Sequence, residues 1–269
     1  MTTQITDQFE AFLQRITLSD AERVNALEQG RRLSRRIEQQ PEVRECLITG
    51  SMVRSTAIRK FSDVDIVAVI EPDGRIIQSE PTKLISSLTE ILRKIEPNVQ
   101  VSENAIRITH ADGRVFDVLA AIHLGANSTG DDVYQIPSTN RKGWESYAPE
   151  EQNRRIREAS ELLGGDFKKL IRLCKWWSKT HGQPIPSYEI ELTAYEAFPE
   201  KIPELPKALV DFSSSIKIAA NSTPLSKSTL LEFKRLAQDA YSKQVSGDYK
   251  KTIELWGKVF GDEFTTVIV

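Results

Sequence analysis

Asp63 and Asp65 stand two residues apart in Ser62-Asp63-Val64-Asp65-Ile66-Val67, and a third acid, Asp117, lies inside the otherwise apolar run Val115 to Ile122. Residues two apart on a strand share a face, so Asp63 and Asp65 project together while Val64, Ile66 and Ala68 point to the other side. An unpaired charge inside an apolar strand is costly, so Asp117 calls for a cation. Three convergent carboxylates on rigid strands suit a pair of hard divalent ions, Mg²⁺ or Mn²⁺, completed by water and phosphate oxygens. Such a pair can stabilise the attacking and leaving oxygens of an in-line phosphoryl displacement. Gly50-Ser51 supplies the complementary part. A glycine ending a strand lets the backbone approach a phosphate, and a helix beginning near Ser51 would aim its free N–H groups at that anion. Taken singly, an Asp-x-Asp pair is often a solvated strand end and Gly-Ser merely a turn; their order along one chain carries the signal.

The elements that must position these residues follow from where the hydrophobic period changes. Ser19-Asp20-Ala21-Glu22 has the spacing of a capping box, and Val24, Leu27, Leu33 and Ile37 recur at helical intervals after it, which predicts a long helix. From Val43 to Ile122 the texture is mixed. CLITG, DVDIVAVIE, NVQVSE, AIRITHA and RVFDVLAAI read as strands, with a helix between Ser79 and Ile95. Asp112-Gly113 predicts a two-residue type I′ hairpin. From Pro149 the pattern is helical, broken near Gly164-Gly165, Gly182 to Pro186 and Asn221 to Pro224. The apolar end, Thr265 to Val269, is expected to pack back on the protein. The fold class is therefore α+β: a mixed sheet with flanking helices in residues 1–148 and a helical domain in 149–269, with the ligand cleft expected between them.

GSMVRSTAIRKFSDVDIV, followed about fifty residues later by RVFDVL, resembles the polymerase-beta-like nucleotidyltransferases, whose signature is Gly-Ser, Asp/Glu-x-Asp and a later strand aspartate. Within them the chain is most similar to the branch of cyclic GMP-AMP synthase, oligoadenylate synthase and the bacterial cGAS/DncV-like nucleotidyltransferases. Leu173-Cys174-Lys175-Trp176-Trp177 resembles the family helix whose lysine holds the donor triphosphate. Pro186-Ser187-Tyr188-Glu189-Ile190-Glu191 resembles its Ser-Tyr motif, in which the serine touches the triphosphate and the tyrosine stacks on the donor base. Tyr134 to Gln152 carries the family's Pro, Trp and Pro sequence. The resemblance implies metal-dependent nucleotidyl transfer, with Asp63, Asp65 and Asp117 as catalytic metal ligands. It gives Gly50, Ser51, Lys175 and Ser187 to the triphosphate and Tyr188 to the base. The implied substrates are ATP, GTP or other nucleoside triphosphates. The implied product is a cyclic di- or trinucleotide, or a short oligonucleotide, acting as a second messenger on a downstream effector in antiphage defence. Rival readings keep the same site: a nucleotidyltransferase that modifies an RNA 3′ end, a protein or a small-molecule hydroxyl, or a non-catalytic nucleotide sensor.

Composition narrows the class. In 269 residues, 36 Lys+Arg face 38 Asp+Glu for a formal charge of −2, which argues against a protein that coats nucleic acid or follows a long RNA track. The longest apolar runs, Ile66 to Ile70 and Val118 to Ile122, are far too short to span a bilayer. The start, MTTQITDQFEAFLQ, has neither the basic nor the apolar stretch of an export signal. Cys46 and Cys174 have no CxxC spacing and read as buried thiols of a cytoplasmic protein. No His/Cys cluster resembles a zinc thumb, so activation by double-stranded DNA is not expected. Lys168, Arg172, Lys175 and Lys179 form one helical stripe, a solvated face except where the motif claims Lys175. Arg31, Arg32, Arg35 and Arg36 form a basic patch, by default solvated and otherwise a surface for a regulatory protein or RNA ligand. Trp176 and Trp177 are expected in the core, and no role is given to His110, His123 or His181.

Overall fold

A helix not singled out above begins the chain in the computed structural model, which describes residues 2–71, 80–102, 105–110, 112–138, 143–218 and 223–266. In this helix, α1 (Thr2–Ile16), the residues Ile5, Phe9, Phe12, Leu13 and Ile16 form one buried stripe. The expected long helix is α2 (Asp20–Glu38). Its capping box closes in both directions: Glu22 N–H donates to Ser19 Oγ at 3.2 Å, and Ser19 N–H donates to Glu22 Oε2 at 2.7 Å. Leu27, Leu33 and Ile37 are buried as expected, but Val24 lies 52% exposed, outside the packed stripe. The arginines Arg31, Arg32, Arg35 and Arg36 occupy the exposed side of the helix.

The sheet comprises β1 (Val43–Thr49), β2 (Val64–Ile70), β3 (Val99–Val101), β4 (Ile106–Thr109), β5 (Val115–Ala126), β6 (Asp132–Pro137) and β7 (Trp144–Tyr147). The one-turn helix α3 (Gly50–Val53) follows β1, and α4 (Pro81–Ile95) follows β2; Ser79, where that helix was expected to start, lies outside the described residues. The strand order is β1-β2-β5-β4-β3, with β6 pairing the far half of β5 and β7 pairing β6. Only β2 and β5 run parallel among these pairs. The sheet thus continues to Tyr147, past the expected limit at Ile122, because β5 is long enough to pair two sets of neighbours. The β4–β5 hairpin forms, but its reversal spans His110 to Arg114 rather than two residues. Gly113 N–H donates to His110 C=O and His110 N–H to Arg114 C=O, each at 2.9 Å.

The remaining helices are α5 (Pro149–Leu163), α6 (Gly165–Thr180), α7 (Ser187–Ala197), α8 (Leu205–Ser215), α9 (Pro224–Val245), α10 (Tyr249–Phe260) and α11 (Asp262–Thr265). The expected breaks near Gly164 and at Gly182 to Pro186 fall between helices; of the third, Thr223 caps α9 and Pro224 begins it, while Asn221 and Ser222 lie outside the described residues.

Packing divides the chain into two compact units. One comprises Ser19–Ser55 and Ser62–Arg154, the other Met1–Leu18, Thr56–Phe61 and Arg155–Val269. The chain therefore changes unit four times, where a single boundary at 148/149 was expected. Hydrophobic period reports the local element and not the core that the element joins. In the helical unit, α1 contributes Phe9 and Phe12 to an aromatic cluster with Trp256, Phe260 and Phe264. Trp176 and Trp177 are each 2% exposed in the same core, as expected. Thr266 near the chain end accepts a hydrogen bond from Arg15 at 2.9 Å; residues 267–269, the rest of the apolar end, lie outside the described residues.

In the sheet unit, α2 lies against β1 and β2 so closely that a Cβ on Gly30 would stand 2.8 Å from Val64 Cγ1. Val67, Val69, Ala121 and Tyr134 form a buried cluster on the other face. Both cysteines are free; Cys174 is fully buried, while Cys46 is half-buried with its thiol pushed up to about 12 by burial and by Glu38 and Glu45. Among the described residues, no helix is long and apolar enough to cross a membrane.

Candidate active site

Strand register brings the acids together. Asp65 is the Cα partner of Thr49 on β1 and of Asp117 on β5, and Asp117 is the partner of Arg107 on β4. Side chains of directly paired residues lie side by side on one face, so Thr49, Asp65, Asp117 and Arg107 form one cross-strand row. Asp63, two residues before Asp65, is tied to the row by Arg107. The guanidinium donates from Nε to Asp117 Oδ1 at 2.9 Å, from Nη2 to Asp117 Oδ2 at 2.8 Å, and from the same Nη2 to Asp63 Oδ2 at 3.0 Å. The hydrogen bonds it donates to Asp117 hold the Arg107 guanidinium above its ordinary pKa against the opposing effect of burial. The cation expected beside Asp117 is, in this structure, an arginine from the neighbouring strand.

Arg107 carries no motif, yet its signal was in the sequence. Ile106 and Ile108 are buried at 1% and 0%, so the alternation on β4 sends Arg107 to the acidic face.

Gly50 stands directly over this row. Its φ is +81°, and a Cβ built there would lie 1.7 Å from Asp65 Oδ2 and 2.5 Å from its Cγ. Only a residue without a side chain lets this backbone and that carboxylate coexist. The helix expected near Ser51 exists, but α3 is a single turn of 4 residues, and Ser51 is half-buried in it. Thr49 Oγ1, at the end of the row, is buried with no hydrogen-bond partner among the described residues.

A prediction follows from the contrast between two left-handed glycines. Gly50→Ala forces Asp65 or the turn to move and is expected to lower turnover by roughly tenfold or more, as does a small misplacement of reacting groups. Gly113 has the same φ, +81°, but an added Cβ meets nothing within 4 Å among the described residues. Gly113→Ala should therefore cost about 1–2 kcal/mol of backbone strain and leave turnover intact. Turnover and thermal melting of both variants check this.

The helical unit holds the other motif residues. Ser187 is the first residue of α7; the N-cap position belongs to Pro186, which provides no side-chain cap, so Ser187 does not have the capping role its type allows. Tyr188, in the same first turn, is 47% exposed, which removes it from the core. Lys175 is buried in a polar ring. It is 2% exposed, and its Nζ donates to Glu191 Oε1 at 2.6 Å and to Thr56 Oγ1 at 2.9 Å, while Thr56 Oγ1 donates to the same Glu191 oxygen at 2.6 Å. Desolvation makes an unpaired ammonium costly, so the buried side chain is committed to this ring. A grip on phosphate would leave Glu191 without its counter-charge. Neither Thr56 nor Glu191 is given a role by the sequence, although both lie in quoted motifs.

The donor set fits a hard divalent ion. All three acids offer oxygen only and come from two non-adjacent chain segments; Asp65 pairs with Asp117 across the strands, and Asp117 and Asp63 share one positive group, Arg107. Among the described residues, no three His, Cys, Asp or Glu side chains form a ready cage. That is the arrangement expected where an arginine stands between two of the carboxylates.

Residues 1–159 match the Second Messenger Oligonucleotide or Dinucleotide Synthetase domain family. A probable cyclic nucleotide synthase of Bacillus cereus (strain VD146) is 24% identical over 274 residues, covering 82% of this chain and 82% of that protein. Of solved structures, CdnC of E. coli MS115-1 with ATP superposes with a TM-score of 0.77 at 18% identity, covering 96% of this chain and 98% of that one. The Vibrio cholerae cyclic AMP-GMP synthase DncV, solved with the linear intermediate 5′ pppA(3′,5′)pG, superposes with a TM-score of 0.66 at 12% identity, covering 93% and 92%. At these identities the structural likeness shows a shared fold.

Proposed function

The chain belongs to the Second Messenger Oligonucleotide or Dinucleotide Synthetase family and is a metal-dependent nucleotidyltransferase that makes nucleotide second messengers, and from that premise we propose how its residues divide the work. The reaction is attack by an acceptor ribose hydroxyl on the α-phosphate of a bound nucleoside triphosphate, with release of pyrophosphate. Asp63, Asp65 and Asp117 would hold the divalent ions, Mg²⁺ or Mn²⁺, two by the family resemblance. When bound, such ions would supply charge stabilisation to the in-line phosphoryl displacement. Asp117 also accepts the proton of the acceptor hydroxyl, ligand first and base second. The Gly50-Ser51 turn accommodates phosphate oxygens where no side chain intervenes. Ser187 touches the triphosphate and Tyr188 stacks on the donor base. Lys175 is a positioning residue: through Glu191, one turn after Ser187, it holds the beginning of α7.

The observation that carries this reading is the register of β2 and β5, which sets Asp65 beside Asp117 across 52 residues of sequence, counted as 117 − 65. The proposed product is a cyclic di- or trinucleotide, or a short oligonucleotide, released in the cytoplasm as a signal to an antiphage effector. The exposed arginines of α2 are the surface offered to a regulatory protein or RNA. The test uses labelled nucleoside triphosphates with Mg²⁺ or Mn²⁺ and no acceptor, followed by phosphatase. Phosphatase-resistant cyclic or oligomeric products are the expected result. Transfer seen only after RNA or protein is added would replace this reading with an acceptor-modifying enzyme, and nucleotide binding without turnover would replace it with a sensor.

A further inference from the structure

We propose that Arg107 is a tethered counter-ion that occupies the carboxylate row when no divalent ion is bound and sets the ion concentration at which the enzyme becomes competent. The inference rests on the assignment of Asp63, Asp65 and Asp117 to the ions. Its geometry is a fork with two bonds to Asp117 and a shared Nη2 proton donor to Asp63. Each Asp117 oxygen that accepts one bond retains a second lone pair, so Asp117 can keep Arg107 and still ligate an ion. The link to Asp63 is the easier contact to release, since it is a single bond from an Nη2 already shared with Asp117, against two bonds to Asp117.

The Arg107 backbone cannot drift away. It is locked opposite Asp117 in the β4–β5 ladder, and its neighbours Ile106 and Ile108 are anchored in the core. The guanidinium therefore stays within one side chain's reach of the row, and its positive charge repels an arriving dication. The side chains are partly exposed, at 41% for Arg107, 30% for Asp63 and 18% for Asp117, so solvent moderates the repulsion without abolishing it. In the ion-free protein the same charge offsets the mutual repulsion of the acids. Arg107 thus stabilises the resting site and opposes its loading.

The test is Mn²⁺ titration of the full chain without nucleotide, following free Mn²⁺ by electron paramagnetic resonance, with melting curves in chelator and in Mg²⁺. Arg107→Gln should bind Mn²⁺ about tenfold more tightly than the unaltered protein, the size expected on removing one screened charge. It should melt lower in chelator and gain more from Mg²⁺. Arg107→Lys keeps the charge but loses the fork, and should bind roughly threefold more tightly; it is read in the same way should Arg107→Gln not fold. Equal or weaker Mn²⁺ binding in the folded variant, while Asp63→Asn/Asp117→Asn weakens it, overturns the role of Arg107 and leaves the metal assignment standing. Mn²⁺ binding that is absent from the unaltered protein, or indifferent to the Asp63→Asn/Asp117→Asn change, overturns both.

Discussion

Asp63→Asn/Asp65→Asn is expected to abolish product formation, lowering turnover on the order of 10³-fold or more, while the protein still folds. The size follows from how such an enzyme works. Phosphoryl transfer leaves little covalent chemistry to the protein, so most of the acceleration is positioning and stabilisation of charge. Asparagine matches aspartate in shape but withdraws one negative charge from each ligand, and two such losses at one site remove the reason for a dication to bind. Stability should change little. The substitution eases repulsion between neighbouring acids, and Arg107 keeps its two hydrogen bonds to Asp117. Phosphatase-resistant product measured alongside a melting curve checks both halves. Undiminished turnover in a folded variant would remove the site from this location.

Lys175→Met should be the most damaging single change to stability. Lys175 and Glu191 have side chains only 3% exposed, and the substitution leaves Glu191 as a buried carboxylate without its cation. Breaking a buried pair from one side costs about 3–5 kcal/mol. For a protein of this size that corresponds to a fall in melting temperature of about 10 °C. Lys175→Met/Glu191→Leu removes both charges and should regain most of the loss, because an apolar pair of similar volume has no desolvation cost to offset. This cycle also separates the two roles for the lysine. A residue that gripped phosphate would, when removed, raise KM for the nucleotide and leave the melting curve in place, and the second substitution would restore nothing. A folded Lys175→Met variant of unchanged melting temperature and strongly raised KM would return Lys175 to the triphosphate.

The buried ring also explains an excursion of the chain. Between Ser51 and Asp63, the segment Thr56–Phe61 leaves the sheet unit and packs in the helical one. There Thr56 joins Lys175 and Glu191, Ile58 bridges Thr17 and Phe61 meets Trp176 edge-on at 5.4 Å. The residues between the two halves of the motif are thus anchored at several points.

Local rules reached a large part of this protein. The two-residue alternation turned Asp65 away from the buried Val64 and Ile66 of β2, and the capping box began α2 at Asp20. Each of these depends on dihedral preferences or hydrogen bonds within a few residues, which the order of side chains dictates. Non-local pairing decided the rest. The neighbourhood of Asp65 and Asp117 is a register between strands separated by α4, β3 and β4, and Arg107 enters only because β4 slots in beside β5. Likewise, a lysine on a basic helical stripe gives no local sign that it will be buried; its partners come from two distant segments. The chain by itself determined which groups could do the chemistry and which way neighbouring ones would face. Only the tertiary structure decided which charge would meet which, because electrostatic partners are chosen by distance in space and desolvation, and neither is a function of position along the sequence.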